Sequence, residues 1–230
     1  MKTIGLIGGM SWESTIPYYS VINKYVGSKL GGLHSAKIIL YSVEFYELEK
    51  YMSAGEWDRI TEILADAAVK LEKAGADVIL ICTNTMHKLF PVIREKISVP
   101  MIHIADATAD ELERHGFKRA ALLGTKYTMT EDFYKSRLTD RGFEVLIPEE
   151  KDIEIVNRVI FEELCCGIIK DSSREAYSEI IAKLKEKGAE AVILGCTEIG
   201  ILIKQEDSVL PAFDTTIIHA ESAARFALDA

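Results

Sequence analysis

Basic residues are the scarcer charge in this chain: 27 Lys and Arg stand against 36 Asp and Glu, a net charge of -9. No basic patch offsets the deficit, which argues against nucleic acid or an anionic membrane as a general partner. Long apolar runs are also missing, since none approaches the ~18–20 residues of a membrane span. The opening MKTIGLIGGMSWEST breaks at Gly8-Gly9 without a small-residue cleavage pattern, so a signal peptide is not expected and a cytoplasmic location is. Cysteine is sparse. Cys82, Cys165, Cys166 and Cys196 lack the C-x-x-C spacing of a zinc ribbon, and a cytosol would keep them reduced. Taken one at a time, they read as small buried hydrophobes. GLIGGMSW lacks the G-x-G-x-x-G spacing and no Walker lysine follows, which counts against nucleotide binding. His34, His115 and His219 share no spacing with acids that would suggest a metal. No metal and no cofactor are expected. There is no low-complexity linker, and 48% hydrophobic with 27% charged residues is an ordinary globular composition.

What is present is a strand followed by a helix, several times over. TIGLIGG reads as a short apolar strand ending in glycine, and 14–26 as a helix with Pro17 in its first turn. AKIILYSV is a second strand. Ile60, Ile63, Leu64, Ala67, Ala68 and Leu71 fall at helical spacing, with Gly75 as a stop. DVILIC is a third strand, apolar on both faces as in a covered parallel sheet. A helix over about 85–96 and a fourth strand, VPMIHIAD, follow. The pattern restarts with the strand KRAALLGT, a helix over about 129–141 and the strand GFEVLIP. Helices over 152–166 and 172–187, the strands EAVILGC and VLPAFD, and a helical tail complete it. Such alternation predicts an α/β fold with parallel sheets and right-handed crossovers.

The halves resemble each other. LEKAGADVILICTNT aligns with LKEKGAEAVILGCTEI, separating Cys82 from Cys196 by 114 residues, and IGLIGG aligns with AALLGT at an offset of 116. Near-equal offsets point to duplication. The expected organisation is two pseudo-symmetric lobes, 1–105 and 106–208, each a short parallel sheet flanked by helices. The segment 209–230 is expected to return to the first lobe, with an active-site cleft between the two.

In open parallel sheets, ligands bind beyond the carboxyl ends of the strands. Met10, Cys82, Thr125 and Cys196 all lie at or just past such ends. Small polar residues follow each cysteine: Thr83-Asn84-Thr85 in one case, Thr197-Glu198 in the other. If they begin helices, free N–H groups and the helix dipole would favour a thiolate and could hold a carboxylate. Two opposed cysteines suit inversion of a carbon bearing an acidic hydrogen. One removes a proton from one face while the other delivers a proton to the opposite face, and N–H donors stabilise the charge that develops on the adjacent carboxylate.

These segments resemble the aspartate/glutamate racemase family, pyridoxal-phosphate-independent enzymes with two duplicated α/β lobes. The resemblance spans essentially the whole chain and rests on IGLIGGMSWEST, CTNTMH, HIADAT, LLGTKYTM, GCTEIG and LPAFDT. It implies Cys82 and Cys196 as catalytic acid/bases acting on a small-molecule amino acid. It also implies that Thr83, Asn84 and Thr85 hold the α-carboxylate, that Met10, Ser11, Thr125 and Thr197 line the same cleft, and that the protein is a homodimer. Glu198 stands where glutamate racemases of cell-wall synthesis have histidine, which separates the chain from that subgroup. Cys165 stands where some aspartate-specific relatives have a lysine, which points to broader substrates. Met52 and Glu198 complete the expected substrate-binding set. Met52 would offer a soft surface, and Glu198 would tune Cys196 or cap its helix. His87 reads as a surface residue or a tuner of the Cys82 thiol, and His103 with Asp106 as support for the strand end.

Other readings of the same residues are a maleate isomerase, a hydantoin racemase or an arylmalonate decarboxylase of the same fold. A non-catalytic small-ligand binding protein would need the cleft but not two thiols. A cysteine hydrolase would need a histidine partner at a matching strand end, and none is evident.

Overall fold

The structure is a computed structural model that describes residues 1–229. It divides into two compact units: residues 1–103 together with the chain's end from His219 onward, and Ile104–Ile218.

The first unit opens with β1 (Thr3–Gly8), α1 (Trp12–Leu30) and β2 (Lys37–Ser42), followed by α2 (Phe45–Ala54), α3 (Trp57–Lys73) and β3 (Val78–Ile81). A 3-10 turn at Thr85–Leu89 then leads to the short α4 (Phe90–Arg94). The strands form a parallel sheet in the order β2-β1-β3. All four residues of β3 are buried, as a strand covered on both faces requires. On one face Ile4, Leu6, Val78, Leu80 and Cys82 pack with Tyr18, Ile22 and Val26 of α1 and with Ala220, Ala223, Ala224 and Ala227. On the other, Gly5 lies close to Leu71 of α3, whose buried stripe is Ile60, Leu64, Ala67, Ala68 and Leu71.

The second unit holds α5 (Ile104–Arg114), β4 (Arg119–Gly124), α6 (Lys126–Thr130), α7 (Asp132–Thr139), β5 (Glu144–Leu146) and α8 (Glu150–Glu162). There follow α9 (Asp171–Glu186), β6 (Ala191–Gly195), α10 (Ile199–Leu202), β7 (Ala212–Asp214) and the start of α11 (Thr215–Leu228). Its parallel sheet runs β5-β4-β6-β7. The first three strands repeat the order of the first sheet, and at the place of β7 the first unit has a lone bridge between Ile79 and Met101. The core of this unit joins Ile153, Val156, Val159 and Ile160 of α8 to Tyr177, Ile180, Ile181 and Leu184 of α9 and to the strands.

Several expectations are corrected. VPMIHIAD is not a strand beyond that bridge: Pro100 has no N–H for a ladder, and helix begins at Ile104. The helix over 85–96 is a 3-10 turn and one short helix, divided where Pro91 enters near the helix start. The helix over 129–141 is broken at Glu131, which is extended (φ -83, ψ 162). Pro17 lies beyond the first turn, because α1 begins at Trp12, and its missing N–H leaves the Glu13 carbonyl without that helical bond. Residues 209–218 belong to the second unit rather than the first, since β7 pairs along β6 through Val192↔Ala212 to Leu194↔Asp214. Among the described residues no helix is long and apolar enough to cross a membrane.

Candidate functional site

In the first unit, β1 and β3 are neighbours, and the loops beyond their carboxyl ends lie side by side. Cys82 N–H donates to the Ile7 carbonyl at 2.9 Å. Beyond β1, Gly9 turns with φ +89 and approaches the Val43 backbone so closely that any side chain would collide with it. Its N–H donates to Thr15 Oγ1 at 2.9 Å, and that hydroxyl donates to the Ser11 carbonyl at 2.9 Å. Ser11 caps α1, its Oγ accepting from Ser14 N–H at 3.4 Å. Met10, Ser11, Cys82, Thr83, Asn84 and Thr85 are all buried here, and Met52 is buried on α2. Thr15 was not among the expected residues, and no sequence signal singled it out.

In the second unit, Gly124 and Gly195 are paired on β4 and β6, which sets Thr125 beside Cys196. A Cβ on Gly195 would stand 2.7 Å from the Leu123 carbonyl oxygen, so this close pairing requires glycine. Thr125 caps α6, accepting from Thr128 N–H at 3.3 Å. The Cys196 thiol donates to Glu198 Oε2 at 2.9 Å, and the Thr197 hydroxyl donates to the same oxygen at 2.8 Å. Thr125, Cys196, Thr197 and Glu198 are buried. Glu198 makes no side-chain cap to α10; its carboxylate bonds to the thiol instead.

The two thiols differ electrostatically. Burial alone pushes Cys82, which has 0% of its surface exposed, above the ordinary thiol value. Cys196 is also held well above its ordinary value. Burial is the largest cause, followed by the charge of Glu198 and then Cys165, while the Glu198 backbone N–H acts in the opposite direction. The long helix expected over 85–96 after Cys82 fails, and the helix that Thr197-Glu198 could begin is short. A five-residue 3-10 turn follows Cys82 and the four-residue α10 follows Cys196, too short for a substantial macrodipole. Cys165 packs against the same core cluster as Cys196. Tyr177, which the sequence did not single out, is buried in that cluster, donates to the Val156 carbonyl at 3.0 Å, and is raised by burial and then by the charge of Cys196.

His87 is not a surface residue. It is buried, with Nδ1 2.7 Å from the Thr83 carbonyl oxygen. His103 is buried beside it, at 4.5 Å between ring centroids. Asp106 lies instead in the second unit, paired with Arg137 at 2.7 Å. Among the described residues, no group of three or more His, Cys, Asp or Glu side chains is arranged to hold a metal ion.

Residues 7–223 match the sequence profile of the Asp/Glu/hydantoin racemases. The chain belongs to the Asp/Glu/hydantoin racemase family. Racemases are isomerases, and this chain is an enzyme of that class. The broad specificity amino-acid racemase RacX of Bacillus subtilis is 27% identical over 228 residues, 95% of each chain. Among solved structures, a Yersinia pestis protein assigned as an Asp/Glu racemase is 53% identical, with both chains covered in full and a TM-score of 0.92. An aspartate racemase homologue from Pyrococcus horikoshii is 38% identical over 99% of each chain, with a TM-score of 0.85. The racemase fold of this chain thus presents a cysteine directly after each of two corresponding strands, β3 and β6.

Proposed function

We propose that this chain interconverts the enantiomers of amino acids without a cofactor, using Cys82 and Cys196 as paired acid and base. The observation that carries the reading is the equivalence of the two cysteines. Each follows the strand next to the central β1 or β4, each is followed by threonine, and each is buried. Family membership supports racemisation as the reaction. The mechanism requires both sulfurs to reach one α-carbon from opposite faces. One sulfur, as thiolate, takes the α-proton; the other, as thiol, delivers a proton opposite. The C–H bond broken is replaced by a C–H bond of inverted configuration, and the two sulfurs exchange protonation states.

Both thiols rest protonated, because burial disfavours the charged form. Glu198 supplies a route out of that state at Cys196: the thiol hydrogen already points at its carboxylate. Cys196 acts as base only once its proton has moved along that bond, against the Glu198 charge that holds the thiol protonated at rest. The Thr83-Asn84-Thr85 turn holds the α-carboxylate and stabilises the charge that spreads onto it as the proton leaves. For the substrate side chain, the name of the Bacillus relative and the placement of Cys165 in the Cys196 core favour a broad range over strict dicarboxylates. A thiol carries no positive charge with which to pair a second carboxylate.

The test is exchange of the α-hydrogen with solvent deuterium, followed by NMR with purified protein and no added pyridoxal phosphate. A panel of the standard amino acids, analysed by chiral chromatography, identifies the substrates. Cys82→Ser and Cys196→Ser are each expected to abolish racemisation. Parental racemisation by either variant would sink the two-base assignment.

A further inference from the structure

The first unit buries three histidines, none of which the two-cysteine chemistry uses. His87, His103 and His219 are all at most 3% exposed. His219 Nε2 lies 3.0 Å from the Ile102 carbonyl oxygen and Nδ1 lies 2.9 Å from Tyr18 Oη. A carbonyl oxygen can only accept, so Nε2 carries the hydrogen. Burial lowers this ring to a pKa of about 4, and its neutral Nδ1 therefore accepts from the tyrosine hydroxyl. The ring so fixed meets His87 edge-on at 5.6 Å between centroids. His103 meets His87 edge-on at 4.5 Å, and Phe90 stacks on it at 5.8 Å with an interplanar angle of 13°. His87 is thus walled by aromatic rings from three segments.

The ring directs a bond at the turn after Cys82. His87 Nδ1 lies 2.7 Å from the Thr83 carbonyl oxygen, so Nδ1 is the donor. That carbonyl belongs to the peptide joining Thr83 to Asn84. In a planar trans peptide, the C=O and the following N–H point in opposite directions. A donor that fixes the Thr83 carbonyl therefore points the Asn84 N–H the opposite way within the same plane, away from the His87 ring.

We propose that His87 is a positioning residue for racemisation: by holding the Thr83 carbonyl, it aims the Asn84 N–H at the substrate α-carboxylate. The claim rests on the reading that the Thr83–Thr85 turn binds that carboxylate. His87 touches no reacting atom. It sets the plane of a peptide whose N–H stabilises charge developing one bond from the α-carbon.

Three full-length variants test it. His87→Asn keeps an N–H at the position of Nδ1. His87→Asp puts an acceptor there, and His87→Leu leaves nothing polar. On the amino acid the parent exchanges fastest, Asn is expected to stay within about threefold of the parent in kcat, while Asp and Leu lose about 10²-fold in kcat and kcat/KM alike. A second readout needs no turnover: the Asn84 amide resonance on adding L-aspartate or L-methionine. It should move with both the parent and Asn, and saturate at least about tenfold more weakly with Asp and Leu. Equal losses in all three variants that track their melting temperatures would overturn the proposal by reducing His87 to a packing residue. Parental kcat in a folded Leu variant, or an Asn84 resonance unmoved by either amino acid in the parent, would overturn it too. Racemisation surviving in Cys82→Ser would instead sink the two-base assignment while leaving the Asn84 shifts in place, so the two failures are distinguishable.

Discussion

Cys82 and Cys196 follow corresponding strands of two sheets that share an order, yet their surroundings have diverged. In the first unit the cysteine sits among Val78, Leu80 and alanines of α11, and the polar groups lie behind the next turn as a set of buried imidazoles. In the second unit, the position matching Asn84 is Glu198, bonded directly to the thiol, and the position matching His87 is Ile201. One half supports the backbone after its cysteine; the other acts on the cysteine itself. The strand ends correspond, while the residues beyond them differ.

Acid offers the largest expected break in this comparison. The first unit holds His219 with a pKa near 4 instead of 6.5, so its neutral form stabilises the fold. That contribution is complete above pH 6.5 and is lost as pH falls to about 4, a change of about 3 kcal/mol. The second unit contains only His115, an exposed residue. Its acid-sensitive groups include the buried Glu163, lowered by its bond from Ser173 and by Lys170 and Arg158, and the exposed Glu149 and Glu190. A lowered carboxylate contributes above its ordinary value of 4.5 and is lost below it. Hydrogen-exchange protection, taken relative to the intrinsic rate at each pH, should therefore fall in β1 and β3 between pH 6.5 and 4.5 while it holds in β4 and β6. Protection falling in both sheets together would refute the assignment.

Next in size is Glu198→Gln. An amide can accept from the Cys196 thiol but cannot readily take its proton, so exchange that begins at Cys196 should slow by about 10²-fold. Exchange beginning at Cys82 should change by less than about threefold. Feeding the two enantiomers separately reads the difference, and equal slowing of both would remove the asymmetry argued above. The smallest effect is Tyr18→Phe, which strips His219 Nδ1 of its buried donor. A loss of about 1–2 kcal/mol is expected in denaturant unfolding. An unchanged midpoint would mean that the ring keeps its place without the hydroxyl.

Much of this architecture was legible in the sequence. Apolar runs ending in glycine marked β1, β4 and β6, an apolar run ending at Cys82 marked β3, and near-equal spacing between halves exposed the repeated order. What escaped has local physical causes. VPMIHIAD looks like a strand, but Pro100 cannot donate to a ladder and Ile104 already starts a helix. The short elements after each cysteine could not be told from long helices by periodicity alone. His219 gave no sign of its place, because its partner Tyr18 lies 201 residues away. Glu198 could be singled out by its neighbours in sequence, but choosing between helix cap and thiol partner required the 2.9 Å contact.

Helix α11 starts with Thr215 and runs to Leu228, while the division between units falls inside it, at His219. Cutting the gene after residue 208 would therefore release no self-sufficient fragment. It would strip an edge strand from one sheet and take from the other the four alanines that close its interior. A carboxyl-terminal deletion of a dozen residues would be felt first around Cys82, more than a hundred positions upstream in the chain.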